Sequence, residues 1–153
     1  ANYNCPGQIV ITGEADAVAE AGTALKEAGA RRVLPLKVSG PFHSPMMRPA
    51  GEELAKVFAR VSMNPLKIPY VANINAEVIT DCGRIEGLLV EQVSGSVRWQ
   101  QSVETMIREG VDTFVEIGPG KTLTGFLRKI DKNVKAYHIG SWEEAVQVCE
   151  ELK

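Results

Sequence analysis

The chain has 153 residues, 44% of them hydrophobic and 24% charged, which is ordinary usage for a globular domain with its own core. The formal net charge of −2 argues against a dedicated nucleic-acid binder, which would show a basic patch or a high pI. No apolar run reaches the length of a membrane span and no signal peptide opens the chain, so we expect no membrane partner and a cytoplasmic location.

The cysteines argue against a disulfide framework. There are three of them, Cys5, Cys82 and Cys149, far apart and without Cys-x-x-Cys spacing. This odd and sparse count is typical of reduced thiols. Together with only two histidines it gives no metal-ligand spacing, so we expect no metal site.

Strands and helices alternate along the chain, which predicts an α/β fold. The predicted strands lie at 8–12, 32–39, 68–74, 113–117 and 135–139. The predicted helices lie at 14–28, 47–61, 84–93, 102–109 and 122–130, and a capping box at 141–144 opens a last one. Strands joined by helical crossovers tend to pair in parallel, with functional loops beyond their carboxyl ends. Two loops fit that rule, 40–45 and 118–121.

The first of these loops contains His43, flanked by Pro41 and Pro45. The prolines restrict the backbone on both sides of the imidazole. A histidine held in this way suits a general base, but a loop histidine that merely bonds a backbone carbonyl fits the same pattern. The second histidine, His138, lies inside a predicted strand and is interpreted as a structural or surface residue.

Two polar side chains need an explanation. Gln92 follows Ile85 by seven positions on a predicted helix, which places its amide on or near the apolar face. A buried amide needs hydrogen-bond partners, so Gln92 either lines a polar pocket or caps neighbouring backbone, and both readings stay open. Asn4 precedes a Cys-Pro-Gly run, and local chemistry favours a turn-forming role for it.

The second loop has the sequence Gly-Pro-Gly-Lys-Thr at 118–122, after a predicted strand and before a predicted helix. This arrangement superficially resembles a phosphate-binding P-loop. That motif needs a glycine five positions before Gly120, where this chain has Val115. The sequence therefore favours a tight strand-to-helix turn over a nucleotide triphosphate site, although a helix start attracts anions weakly.

Four segments at 1–13, 36–47, 96–99 and 116–125 contain the runs Asn-Tyr-Asn-Cys-Pro-Gly-Gln, Gly-Pro-Phe-His-Ser-Pro-Met-Met, Ser-Val-Arg-Trp and Glu-Ile-Gly-Pro-Gly-Lys-Thr. In this order and spacing, over nearly the whole chain, they resemble the malonyl-CoA:acyl carrier protein transacylases. They are more distantly similar to the acyltransferase domains of fatty-acid and polyketide synthases.

The resemblance implies roles for four residues. His43 matches the catalytic histidine that partners a nucleophilic serine, and Gln92 matches the glutamine whose backbone carbonyl orients it. Phe42 matches a position where phenylalanine goes with malonyl selection, and Asn4 matches a recurrent asparagine near the pocket. The implied reaction transfers a malonyl group from malonyl-CoA to the phosphopantetheine thiol of acyl carrier protein in fatty acid synthesis. It proceeds through a serine acyl-enzyme, without a metal or a bound cofactor.

The chain departs from the family pattern in one large respect. The family serine lies in a Gly-His-Ser-x-Gly elbow, and no such motif occurs in these 153 residues. The family's malonyl-binding arginine and oxyanion-hole amides would also lie upstream. We therefore expect the C-terminal half of such an enzyme, inactive alone, with the missing N-terminal half as its partner.

The implied fold is the C-terminal part of an α/β-hydrolase-like acyltransferase core, preceded by half of a ferredoxin-like subdomain. Residues 1–39 would belong to the small subdomain and residues 40–153 to the core. An interrupted subdomain exposes a strand edge and apolar surface, so we expect the chain to associate. The alternative function is that of a non-catalytic fragment that binds pantetheine or a carrier protein.

Overall fold

The computed structural model describes residues 2–153. Its six strands are β1 (Asn2–Cys5), β2 (Gln8–Val10), β3 (Tyr70–Val71), β4 (Val78–Ile79), β5 (Thr113–Ile117) and β6 (Lys135–Ile139). Its six α-helices are α1 (Ala15–Glu27), α2 (Arg48–Phe58), α3 (Ile85–Ser94), α4 (Trp99–Arg108), α5 (Thr122–Ile130) and α6 (Trp142–Glu151). Short 3-10 turns at Pro45–Met47 and Cys82–Arg84 lead into α2 and α3.

The strands form three separate pairs. β5 and β6 pair in parallel through the α5 crossover, with Thr113 opposite Lys135 and Ile117 opposite Ile139. β1 and β2 form an antiparallel hairpin, and β3 and β4 form another. The parallel pairing expected for strands with a helical crossover is thus found for β5 and β6, whereas the other two pairs are local hairpins.

The core lies where β1, α4, α5 and the parallel pair meet. Among its most buried apolar side chains are Cys5, Ile79, Val103, Leu127 and Val148. β1 is attached to this core by its backbone, because the amide of Tyr3 donates to the carbonyl of Val97 at 2.8 Å. None of the helices in residues 2–153 has both the length and the apolar character that crossing a membrane requires.

Helix α2 packs closely against α3, and a glycine makes the contact possible. Gly51 is buried in α2, and a Cβ built on it would lie 3.1 Å from the carbonyl oxygen of Val90 and 3.7 Å from Cβ of Val93. The nearest of these atoms is helix backbone, which cannot move aside as a flexible side chain would. A hydrogen atom at this position therefore sets how near α2 comes to α3.

The predicted strand at 32–39 is wrong, because the structure has an irregular segment there. Pro35 has no N–H to give to a ladder, and no strand within the described residues pairs with this segment. Leu34, Leu36 and Val38 are 64%, 59% and 63% exposed. The apolar pattern that suggested a strand is thus present without a partner to pair with.

The next predicted strand and the predicted turn at Asn4 also differ from the structure. The strand predicted at 68–74 is limited to β3, and its partner β4 was not predicted. A tight turn joins them, in which Ala76 adopts a φ of 61° and its amide donates to the carbonyl of Ala72 at 2.8 Å. Asn4 does not form a turn, because it lies inside β1 and the turn that follows is at Pro6 and Gly7.

The close contact at Gly51 can be tested with two glycine-to-alanine variants. Gly51→Ala should be less stable than Gly87→Ala by about 1–3 kcal/mol, the usual cost of overpacking. Gly87 is a suitable control because it also lies in a helix, α3, yet a Cβ there meets nothing within 4 Å. Both variants gain the same helix propensity, so the difference reports packing alone. Urea unfolding measures it, and equal midpoints would contradict the tight contact.

Candidate active site

His43 lies in a strained turn just before α2. Its φ of 58° is in the left-handed region, which is uncommon for a residue other than glycine. The buried hydroxyl of Ser44 donates to the carbonyl of Pro41 at 2.7 Å, and the amide of Met47 donates to the carbonyl of Ser44 at 2.9 Å. These bonds close the turn on both sides of His43 and hold its backbone in this conformation.

The imidazole of His43 is bonded to the end of α3. Its Nδ1 donates to the backbone carbonyl oxygen of Gln92 at 3.0 Å, across 49 positions of sequence. Gln92 lies in the last turn of α3, where carbonyls have no intrahelical donor. Gly95 ends the helix with extended backbone, φ −94° and ψ 159°, which directs the following residues away from the helix axis. The helix end therefore supplies the acceptor that the imidazole needs.

This hydrogen bond fixes the tautomer of His43. A carbonyl oxygen only accepts, so a neutral ring must carry its hydrogen on Nδ1, and Nε2 then has the lone pair. The ring is thus prepared to take up a proton at Nε2 while Nδ1 stays bonded.

The side chain of Gln92 caps neighbouring backbone, which was one of the two readings left open by the sequence. Its Nε2 donates to the carbonyl of Gly95 at 3.0 Å and to that of Ser96 at 3.4 Å. If the amide oxygen and nitrogen were exchanged, Oε1 would lie against two carbonyl oxygens, and none of these atoms is a donor. These contacts therefore fix the orientation of the Gln92 amide. Nε2 also lies 3.5 Å from Nδ1 of His43, but both atoms are donors there and do not bond.

The other two predicted residues lie apart from this hydrogen-bonded pair. Phe42 is 48% exposed, and its ring lies back over Gly40, where a Cβ would be 3.7 Å from it. Asn4 is half-buried in β1 and makes no side-chain hydrogen bond within residues 2–153. The structure therefore joins His43 to Gln92, while the pocket roles of Phe42 and Asn4 stay predictions.

The Gly-Pro-Gly-Lys-Thr turn is occupied by a side chain of the protein itself. Glu116, near the end of β5, accepts hydrogen bonds from the amide of Leu123 at 3.0 Å and from the amide and hydroxyl of Thr124 at 2.7 and 2.6 Å. A phosphate would need these same amides at the start of α5. The Glu116 carboxylate thus takes the position of the anion, which agrees with the tight turn favoured by the sequence.

These bonds also set the ionisation of Glu116. Burial raises the pKa of this carboxyl, but the hydrogen bonds from Thr124 and Leu123, with the nearby His138, outweigh burial and hold the pKa below its ordinary value of 4.5. The lower pKa means that the fold favours the charged carboxylate. Glu116 therefore acts as a permanent cap on α5.

Of the structural and surface readings for His138, the structure agrees with the structural one. Its ring is only 10% exposed, and its Nε2 donates to the carbonyl of Gly118 at 2.9 Å. This bond ties the end of β6 to the Gly-Pro-Gly turn, where Gly118 and Gly120 adopt φ values of 141° and 85°. His138 therefore uses the opposite ring nitrogen from His43.

Sequence reasoning missed three residues that shape this region. Ser44 closes the His43 turn, Gly51 lets α2 approach α3, and Glu116 caps α5. A signal existed for two of them. An isolated glycine inside an amphipathic helix indicates close packing, and a carboxylate two residues before a glycine turn can reach the next helix start. Nothing local identifies Ser44.

Comparison with known proteins assigns this arrangement to a family. The acyl transferase domain family matches residues 1–148 of the chain. The chain belongs to this family. Acyl transferases from the curated proteins include the malonyl CoA-acyl carrier protein transacylase of Bacillus subtilis, 42% identical over all 153 residues and over 48% of its own length. The enzyme of the same name from Escherichia coli K12 is 44% identical over 84% of this chain and 42% of its own length.

Solved acyl transferase structures have the same fold. The enzyme from Streptococcus pneumoniae is 44% identical, with a TM-score of 0.93 over 99% of this chain and 49% of its own. A malonyl-transacylase in complex with its type II polyketide synthase acyl-carrier protein is 38% identical, with a TM-score of 0.95. The match covers 99% of this chain and 49% of that structure's chain. The predicted α/β fold class and family resemblance are confirmed. The chain spans about half the length of the acyl transferases it matches.

The two histidines should show opposite tautomers. When its ring is neutral, His43 should carry its hydrogen on Nδ1, because that atom donates to Gln92, and His138 should carry it on Nε2, because that atom donates to Gly118. Two-bond ¹H–¹⁵N NMR spectra of histidine-labelled chain distinguish these forms. Since the chain has only two histidines, a single His43→Gln variant assigns both sets of signals. An Nε2-protonated His43 would contradict the geometry.

Removing the charge of Glu116 should weaken the cap of α5. Glu116→Gln should lower the free energy of unfolding at neutral pH by about 1 kcal/mol, as for other helix caps. The pKa of Glu116 is lower in the folded state than in the unfolded state, so the carboxylate stabilises the fold at any pH above its ordinary pKa. This stability is lost as the pH falls through the pKa of the folded state. The acid dependence of stability should therefore flatten in the variant.

Glu150→Gln provides the control, because Glu150 is exposed on α6. Thermal unfolding measured between neutral and acid pH compares the two variants. The capping role is refuted if both lose the same stability with the same acid dependence.

Proposed function

We propose that this chain supplies the histidine half of a malonyl-CoA:acyl carrier protein transacylase of the cytoplasm. The reaction would move a malonyl group from coenzyme A to the phosphopantetheine thiol of an acyl carrier protein. The observation that carries the proposal is the 3.0 Å hydrogen bond from His43 Nδ1 to the carbonyl of Gln92, within a chain of the acyl transferase family. The carrier-protein partner is suggested by the relative solved with its acyl-carrier protein.

The residues present determine which catalytic group this chain supplies and which it lacks. These 153 residues contain no Gly-His-Ser-x-Gly elbow, so the nucleophilic serine must come from outside them. The serine hydroxyl attacks the malonyl thioester carbon while Nε2 of His43 accepts its proton. As the C–S bond breaks, the histidine returns that proton to the departing coenzyme A sulfur and a malonyl ester remains on the serine.

The second half of the reaction runs through the same ring. The carrier-protein thiol loses its proton to Nε2 and its sulfur attacks the ester. The C–O bond to the serine then breaks, and the histidine gives the proton back to the serine oxygen. In both halves the Gln92 carbonyl holds Nδ1 and stabilises the transient imidazolium, as a carboxylate does in a Ser-His-Asp triad.

The remaining assignments are parts of the same proposal. Phe42, half-exposed one residue before His43, would contact the acyl group, and Asn4 would line the pocket from β1. Residues 1–39 would belong to a ferredoxin-like subdomain and residues 40–153 to the core. A non-catalytic fragment that binds pantetheine or a carrier protein is the competing function, and it predicts binding that does not depend on His43.

Activity should depend on His43 and on an added serine half. A protein that joins the N-terminal half of the Bacillus subtilis relative to this chain should transfer radiolabelled malonyl groups to acyl carrier protein. His43→Ala should lower that rate about 10²–10⁴-fold, the contribution of a general base. The chain alone should give no transfer above a His43→Ala background.

His138→Gln serves as the matched control. It removes the other histidine and keeps an amide donor for the Gly118 carbonyl, so it should retain nearly the parent rate. The proposal fails if His43→Ala is as active as this control in the joined protein, or if the chain alone transfers malonyl groups.

A further inference from the structure

The side chain of Gln92 is a feature that the proposed mechanism does not use. That mechanism needs only a backbone carbonyl, which any residue would provide. Yet the amide is half-buried and donates to two carbonyls beyond the end of its own helix, at Gly95 and Ser96. A glutamine at this position therefore has a second task.

We propose that the side-chain amide of Gln92 is a positioning group for His43. By holding the carbonyls of Gly95 and Ser96, it keeps the backbone after α3 turned away, so that the Gln92 carbonyl stays available to the imidazole. The functional meaning of this arrangement rests on the proposed function, but the arrangement itself can be tested without any measurement of activity.

Helix geometry explains why the carbonyl needs protection. If α3 continued by one residue, the amide of Ser96 would donate to the carbonyl of Gln92 and compete with His43. The extended backbone at Gly95 prevents this. The Gln92 amide closes the resulting turn, because its two hydrogens reach carbonyls three and four residues ahead. The side chain thus fixes the backbone conformation that leaves its own carbonyl to the histidine.

Three similar side chains fail these requirements at position 92. Methionine has the same length but no donor, and glutamate at neutral pH would face two carbonyl oxygens with a negative charge. Asparagine has the donors but lacks one methylene of reach. The two accepting carbonyls lie on a segment where bulk is excluded, since a Cβ at Gly95 would overlap Cδ1 of Ile74.

The residues beyond this turn are held independently. The carbonyl of Val97 accepts from the amide of Tyr3 at 2.8 Å, and the amide of Arg98 donates to the carbonyl of Asn73 at 2.8 Å. Removing the Gln92 amide should therefore loosen only the turn at Gly95 and Ser96, while β1 and α4 stay in place. The expected change is local to the His43 contact.

The test uses the histidine-labelled 153-residue chain and NMR of the ring nitrogens. In Gln92→Met, the signals of His43 should change from the Nδ1-protonated form to a mixture of the two tautomers, and the protection of its Nδ1 hydrogen should be lost. His138, bonded to Gly118, is the internal reference and should be unchanged. Gln147→Met, at an exposed glutamine of α6, is the matched control and should leave both histidines as they are.

An unchanged tautomer and unchanged protection of His43 in Gln92→Met would overturn the inference. A second measurement needs no variant, because in the unmodified chain the side-chain amide hydrogens of Gln92 should exchange more slowly than those of Gln147. Equal exchange would also overturn it, even if Gln92→Met does not fold. The proposed function fails by a different result, the loss of His43 dependence in the transfer assay.

Discussion

The candidate site depends on how closely α2 approaches α3. His43 lies immediately before α2, and the carbonyl that it bonds lies in the last turn of α3. The distance between these two points depends on the packing of the helices, and Gly51 packs closely against the backbone of Val90. A side chain larger than hydrogen at position 51 would push the helices apart. The hydrogen bond of the imidazole would lengthen with them.

A helix end is an effective orienting group for a histidine. An aspartate in this role is a full charge whose burial has a large desolvation cost. A last-turn carbonyl is neutral and needs a donor in any case. The arrangement therefore orients the ring without a buried ion. Its weakness is that a backbone amide can compete for the carbonyl, which is where the side chain of Gln92 becomes important.

The turns at the start of α5 and at the end of α3 are both completed by side chains of the protein itself. At the start of α5, the carboxylate of Glu116 takes the amides that an external anion would use. At the end of α3, the amide of Gln92 takes the carbonyls that would otherwise be left without a partner. In each case the sequence motif is shared with a binding loop or a pocket residue, but the α5 amides and the Gln92 Nε2 already have partners within the chain. What a motif binds is thus decided by the side chains around it.

The sequence by itself determined the parts of the fold that are local. β5, α5 and β6 have the predicted bounds, because a strand, a crossover helix and a parallel strand are specified by their own patterns and turns. The family also followed from sequence, since four runs in order identify it. The strand predicted at 32–39 failed, because an apolar alternation forms a strand only when a partner lies beside it.

Only the tertiary structure decided how the site is assembled. His43 and Gln92 lie 49 positions apart. Local chemistry left both a catalytic and a structural role open for His43. For Gln92 it left open whether the amide lines a pocket or caps backbone. Their contact follows the packing of α2 against α3, and although a glycine inside a helix signals close packing, it does not say which helix packs there. The same packing fixes which nitrogen of His43 carries the hydrogen. The sequence thus specifies which residues are present, whereas the distance between His43 and Gln92 depends on how the helices pack in the folded protein.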